Sequence, residues 1–269
     1  MIRFIITTLL WCAGAGATAC APHAFPSDTE RVGSFKGLSA ARVGDESLDL
    51  YLRHRTAVLI GESPGGEVRI SEAAAIDPRG YFLTAAHCLE ATELHLFYFD
   101  GLHAKVATPR VVAVKKDKDR DDFAIIHVEG TPRTFFAWAD DQTVGATDTA
   151  AAVGGGPDET SSEGLVVSTP QCIAGRIVSV EPSDAIATRV LHDLPLRPGD
   201  SGGPLATADG KLIGVNTGVR VSWLGAAVSM AIRPDPRWVR SRIERDYRER
   251  RLREESGILR QDLYKFGEQ

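Results

Sequence analysis

Gly199-Asp200-Ser201-Gly202-Gly203-Pro204 sets three glycines and a proline around a single serine. That composition describes a tight, irregular turn, in which the backbone reaches conformations closed to other residues and can turn its amides outward. A serine hydroxyl is a weak nucleophile at neutral pH. To attack a carbonyl it needs a base to take its proton and donors for the oxyanion that forms. The amides of Gly199 and Ser201 are candidates for those donors. By itself, however, the hexapeptide reads equally well as a polar surface turn.

Two upstream stretches decide between the readings. Tyr81-Phe82-Leu83-Thr84-Ala85-Ala86-His87-Cys88 is a β-prone run ending in small residues and a histidine, and Asp122 opens the apolar strand Asp-Phe-Ala-Ile-Ile. The order His87, Asp122, Ser201 is that of the chymotrypsin clan, not of subtilisins or α/β-hydrolases. With Thr84-Ala85-Ala86-His87-Cys88 and Gly-Asp-Ser-Gly-Gly-Pro in place, the chain resembles a trypsin-like serine protease. The resemblance implies a catalytic triad: Ser201 as nucleophile, His87 as general base, and Asp122 holding the imidazole. Asp121 is the second choice for the acid within the run Asp117-Lys118-Asp119-Arg120-Asp121-Asp122, most of which reads as a charged surface loop. His23, His54, His95, His103, His127 and His192 lack a motif and read as surface or packing residues.

The 269 residues, 43% hydrophobic and 7% aromatic, suffice for one large all-β domain or two small lobes. A net charge of -5 gives no reason to expect nucleic acid as a partner. Short β-prone runs at 56–60, 68–76, 81–85, 94–99, 105–114 and 123–128, separated by turns, predict a first barrel over 55–130. A linker over 131–145 follows. Runs at 149–153, 164–168, 174–180, 186–192, 204–206, 212–217 and 226–232 predict a second barrel over 146–234. The expected fold is therefore all-β: two six-stranded antiparallel barrels of the chymotrypsin-like kind with a C-terminal α-helix. The resemblance implies that His87 and Asp122 come from the first barrel and Ser201 from the second, with a cleft between them. Residues 235–269 hold an arginine- and glutamate-rich helix. In it Glu244–Arg248 and Glu249–Arg253 are spaced for i,i+4 pairing, and the family resemblance places it on the second barrel.

Residues 1–19 read as a signal peptide: Arg3, an apolar run from Phe4 to Trp11, then small residues. The sequence Ala17-Thr18-Ala19-Cys20 resembles a bacterial lipoprotein cleavage site. This makes Cys20 a candidate lipidation site and acyl chains a candidate membrane anchor, with localisation to the periplasm or outer membrane. Ordinary cleavage after Ala19 is the alternative. Residues 20–54 form a polar leader, with a helical turn expected near Ser47 to Leu52. In animal relatives the cysteine after the histidine pairs with one fifteen residues before the histidine; here that position is Glu72, so that bridge is absent. Cys88 and Cys172 are expected as small buried thiols. No ligand cluster points to a metal and no motif to a cofactor.

Asp209-Gly210-Lys211-Leu212-Ile213-Gly214-Val215-Asn216-Thr217 and Val228-Ser229-Met230-Ala231-Ile232 resemble the second barrel of HtrA (DegP-like) proteases, with likeness over roughly 55–235. Two departures stand out: Asp200 where HtrA proteins carry asparagine, and only 35 residues after Pro234, against the ~90 of a PDZ domain. HtrA-style assembly is accordingly not carried over, and the oligomeric state is left open. In trypsin-like zymogens the equivalent of Asp200 pairs with a new N-terminal ammonium. Arg31-Val32-Gly33 is only a weak match to such a start, so Asp200 is expected to be held by local amides or by Arg197. At the position where Lys/Arg-cutting relatives hold an acid stands Pro195, followed by Leu196. Such a floor does not compensate a buried cation, so small or apolar P1 residues are expected. Asn216 takes the place of the histidine of glutamate-specific relatives, and Thr217, Gly218 and Val219 form the strand expected to pair with substrate backbone. The expected partner is a protein or peptide substrate. A catalytically silent binding module and an esterase using the same triad are the alternatives.

Overall fold

The structure is a computed structural model that describes residues 38–63, 65–100, 103–117, 121–140, 144–146, 148–160, 166–182, 186–221 and 227–266. The signal peptide, Cys20, His23 and Arg31-Val32-Gly33 lie outside the described residues. A short hairpin of β1 (Arg42–Val43) and β2 (Glu46–Ser47) leads into helix α1 (Leu48–Arg55). Ser47 caps that helix, its Oγ accepting from the Leu50 amide at 3.3 Å. The helix is longer and far less polar in role than the sequence predicts: Leu48 and Leu52 are completely buried.

From α1 the chain runs directly into β3 (Thr56–Glu62), followed by β4 (Val68–Asp77), β5 (Tyr81–Thr84), β6 (Thr92–Asp100), β7 (His103–Ala107), β8 (Arg110–Lys116) and β9 (Asp122–His127). These seven form one antiparallel sheet in the order β7-β6-β3-β4-β5-β9-β8. The six-stranded first barrel expected from the sequence is corrected on this point. Its fifth predicted strand breaks at Thr108-Pro109, and the two pieces pair at opposite edges, β7 with β6 and β8 with β9. Proline has no N–H to give to a ladder, so an uninterrupted strand through Pro109 is disfavoured.

The second half matches the expectation closely. Strands β10 (Thr149–Thr160), β11 (Val166–Pro182), β12 (Ala187–His192), β13 (Pro204–Thr207), β14 (Leu212–Val221) and β15 (Ala227–Pro234) close a barrel in the order β10-β11-β12-β15-β14-β13. Two of the seven predicted runs merge into β11. The barrel interior is filled by small and branched residues, among them Ala150, Ala152, Ile177, Val190, Leu205, Ile213 and Ala231. A larger cluster lies between the halves. It joins Leu83, Phe123 and Ile125 of the sheet to Val153, Leu212 and Val215 of the barrel, with Leu48 and Leu52 of α1 and Phe136 of the linker among them. The linker is tied to both sides, Phe136 N donating to Ala75 O at 2.9 Å and Leu212 N to Ala137 O at 2.7 Å.

Helix α2 (Pro236–Phe266) buries Val239 and Ile243 in the cluster between the halves. It does not stay on the barrel, as the family resemblance implies, but reaches back to the first sheet. Arg79 pairs with Glu244 at 2.7 Å, Arg110 with Asp246 at 2.7 Å, and Tyr81 Oη donates to Asp246 at 2.9 Å. The i,i+4 pairs formed along α2 accordingly differ from those expected: Glu244 is taken by Arg79, and Glu249 faces Arg245 at 3.2 Å. Among the described residues, no helix is long and apolar enough to cross a membrane.

Candidate active site

The pairing of β5 with β9 fixes the first two members. Thr84 is opposite Ala124, so in an antiparallel register the residues just beyond Thr84 face Asp122 at the start of β9. After β5 the chain tightens into a 3₁₀ turn over Ala86–Glu90, where the small Ala85 and Ala86 tuck into the interior and His87 remains part-exposed. The Asp122 carboxylate then grips His87 twice. Oδ1 accepts from the His87 backbone N–H at 2.9 Å, and Oδ2 lies 2.6 Å from Nδ1. An ionised carboxylate can only accept, so Nδ1 carries a proton, and in the neutral imidazole it is Nε2 that presents its lone pair. Asp122, not the buried Asp121, makes these contacts.

The electrostatics follow from that grip. The hydrogen bond to Asp122, assisted by Cys88, raises the His87 imidazole from 6.5 to about 10. Burial alone would raise Asp122, but the hydrogen bonds and charge of His87 outweigh it and hold the carboxyl below its ordinary value.

Ser201, part-exposed, sits on the turn between β12 and β13. Two strands pin this turn through their backbones. Gly202 N donates to Asn216 O at 2.7 Å, Asn216 N to Gly203 O at 2.9 Å, and Glu72 N of β4 to Ser201 O at 2.8 Å. Gly202 has φ +83°, and a Cβ there would collide with the Glu72 carbonyl oxygen and Thr84 Oγ1, so only glycine fits. Asp200 is held as expected, by a local amide: its Oδ2 accepts from the Arg197 N–H at 2.8 Å. Among the described residues the amides of Gly199 (φ +107°) and Ser201 donate to no protein partner.

The predicted residues are brought together to different degrees. His87 and Asp122 are bonded directly. Ser201 is tied to them only through the neighbour of His87, Cys88 Sγ lying 3.6 Å from its carbonyl oxygen, while its hydroxyl makes no hydrogen bond among the described residues. Catalytic contacts of this kind commonly tighten only when substrate binds. Of the specificity candidates, Asn216 is wholly buried under the nucleophile turn, Thr217 and Leu196 are buried, and Gly218 is part-exposed. Val219 is exposed beside Gly218, and Pro195 is exposed, so Leu196 rather than Pro195 is the interior residue at that point. Cys88 and Cys172 are both free. Burial, with Asp49 nearby, pushes the Cys172 thiol up to about 12. The sequence reading missed Glu72, noted there only for the cysteine it replaces; His192, read as a surface or packing residue, is completely buried, and burial lowers its imidazole and keeps it neutral.

A family model described as a trypsin-like peptidase domain matches residues 72–215. A probable periplasmic serine endoprotease, DegP-like, of Halomonas elongata is 26% identical over 208 residues, covering 73% of this chain and 41% of that protein. The protein of the same description from Chlamydia trachomatis is 28% identical over 143 residues, covering 52% of this chain and 26% of its own length. The chain thus spans less than half of the curated relatives it matches. Among solved structures, the HtrA-type protease AlgW with a tripeptide superposes with TM-score 0.52 at 21% identity, over 68% of this chain and 57% of that one. The serine endoprotease from Yersinia pestis gives TM-score 0.52 at 16% identity, over 68% and 60%. At such identities these structures speak for the fold alone, and the fold is the HtrA protease fold. The model match runs from Glu72, whose amide holds the Ser201 carbonyl, to Val215 beside the nucleophile turn, more than half of the whole sequence, and on that ground the chain belongs to the trypsin-like peptidase domain family.

Proposed function

We propose that this chain is an exported serine endopeptidase that cleaves peptide bonds through His87, Asp122 and Ser201. The observation that carries the reading is the double grip of Asp122 on His87, which leaves Nε2 free to act as a base beside a glycine-built serine turn. In this mechanism Ser201 Oγ attacks the substrate carbonyl carbon and passes its proton to His87 Nε2. The imidazolium is stabilised by Asp122, and the oxyanion by the Gly199 and Ser201 amides. Collapse of the tetrahedral intermediate breaks the C–N bond as His87 returns the proton to the departing amine. Water then repeats the sequence on the acyl ester and releases the acid. Small or apolar P1 residues fit best, because Leu196 and no acid lies at the floor position. The DegP-like relatives are named as periplasmic, which together with residues 1–19 supports export; anchoring through Cys20 is the finer part of the proposal.

The test is fluorophosphonate labelling of protein lacking residues 1–19, with the adduct mapped by mass spectrometry. An adduct on Ser201 supports an assembled nucleophile. A folded protein that never labels supports the silent binding module. Matched peptide and ester substrates separate peptidase from esterase.

The base must be neutral to accept a proton, and Asp122 raises its pKa. The labelling rate is therefore expected to climb with pH along a limb whose midpoint lies well above the 6.5 of an ordinary imidazole. Asp122→Asn removes the stabilising charge, so its midpoint should move down towards that value. A midpoint at or below 6.5 in the unmodified chain would refute this assignment.

A further inference from the structure

Glu72 lies on β4 of the first sheet, yet its side chain reaches under the nucleophile turn of the second barrel. Glu72 N donates to Ser201 O at 2.8 Å, and Glu72 O accepts from Thr84 Oγ1 at 2.7 Å, which fixes the backbone on both sides of the side chain. A Cβ added to Gly203 would overlap Glu72 Oε2, so the carboxyl occupies the space the glycine leaves open. The residue is only 7% exposed, and Oε2 is buried with no hydrogen-bond partner among the described residues. The titratable groups facing it are Asp200, on the turn itself, and Cys88, on the 3₁₀ turn that carries His87.

We propose that Glu72 is a positioning residue: its carboxyl fills the hollow at Gly203 and braces the turn that presents Ser201 against the sheet that presents His87. This rests on the peptidase reading above and deepens it. A second carboxylate nearby disfavours ionisation of a buried carboxyl. Burial first, then the charge of Asp200 and the Cys88 sulfur, raise the Glu72 carboxyl well above its ordinary value, which favours its neutral form. A neutral carboxyl can lie against the glycine without a counter-ion; an anion there would repel Asp200 one residue from the nucleophile.

Three variants test the proposal in the full mature chain: Glu72→Gln, Glu72→Ala and Glu72→Asp. At neutral pH, Glu72→Ala is expected to lower the Ser201 labelling rate by about tenfold or more, because a misplacement of ~1 Å suffices for such losses. Glu72→Gln, which keeps shape and neutrality, should recover most of that rate, and Glu72→Asp, one methylene short, should not. Melting temperature against pH gives a readout independent of activity. Below the ordinary glutamate value of 4.5, folded and unfolded chains both keep the proton. Above it the unfolded chain ionises while the folded one does not, so the wild type loses stability relative to Glu72→Gln as pH rises. The melting-temperature gap should therefore widen with pH above 4.5. Wild-type labelling by Glu72→Ala, equal impairment of Glu72→Ala and Glu72→Gln, or a gap that does not change with pH would each overturn the proposal. If Glu72→Ala fails to fold, the pH dependence of Glu72→Gln decides. A wild type that never labels on Ser201 instead sinks the peptidase reading and leaves the melting comparison standing as the test of Glu72.

Discussion

Replacing His87 or Ser201 by alanine is expected to lower peptide turnover by about a million-fold, and replacing both is expected to cost little more than either alone. In the proposed mechanism the two act as one unit: without the base the hydroxyl keeps its proton, and without the hydroxyl the base has nothing to activate. Asp122→Asn should cost less, on the order of 10⁴-fold, because the acid orients and stabilises the imidazole without touching substrate. The ranking has a structural counterpart. Ser201 is part-exposed and its hydroxyl makes no hydrogen bond among the described residues, so truncating it removes little, whereas truncating His87 also removes the ring's hydrogen bond to Asp122. The melting temperature of the Ser201 variant should stay close to wild type and that of the His87 variant should fall with the loss of the Asp122 pair, while activity assays should find only a residual rate in both. A His87→Ala protein that retained a tenth of the peptide turnover would mean that another group serves as the base.

Much of this site was legible in the sequence because its parts are short and chemically unusual. The glycine-rich turn, the small residues before His87 and an acid opening an apolar strand each have a local physical reason to stand where they do. The register that brings Asp122 to His87 follows from β5 and β9 being neighbours, a pairing across three intervening strands that the runs and turns did not report. What stayed hidden depends on contacts between distant segments. Whether the first strand set closes depends on which edge each half of the 103–116 stretch joins, and a single Pro109 sends the halves to opposite edges. The choice of Arg79 over Arg248 as the partner of Glu244 depends on where α2 lies in space, which helical spacing does not encode. Glu72 was visible only as a missing cysteine. Its placement under Gly203 joins two halves of the fold, and no local pattern reports that. Conversely, the high-numbered end of the second barrel was easy to read, since β12 to β15 alternate apolar stretches with strong turn signals.

The leader helix offers the sharpest test of packing that the sequence did not announce. Leu52→Ala is expected to destabilise the protein by about 3 kcal/mol, the usual cost of removing a fully buried leucine where the surroundings cannot collapse. Leu50→Ala, two residues earlier on the same helix but 41% exposed, should change stability by no more than ~0.5 kcal/mol. For a chain of this size the first change corresponds to a fall in melting temperature of roughly 10 °C and the second to almost none. The contrast follows from where α1 is inserted. Leu48 and Leu52 enter the cluster shared by sheet and barrel, Asp49 Oδ1 accepts the Cys172 N–H of β11 at 2.9 Å, and the helix runs straight into β3. A loosened α1 therefore acts on the junction that sets Ser201 against His87. Labelling of Ser201 in Leu52→Ala should fall even at temperatures where the variant is folded, while Leu50→Ala labels at the wild-type rate. Equal melting temperatures for the two variants would mean that residues before β3 are an appendage, and that the two halves are held together without them.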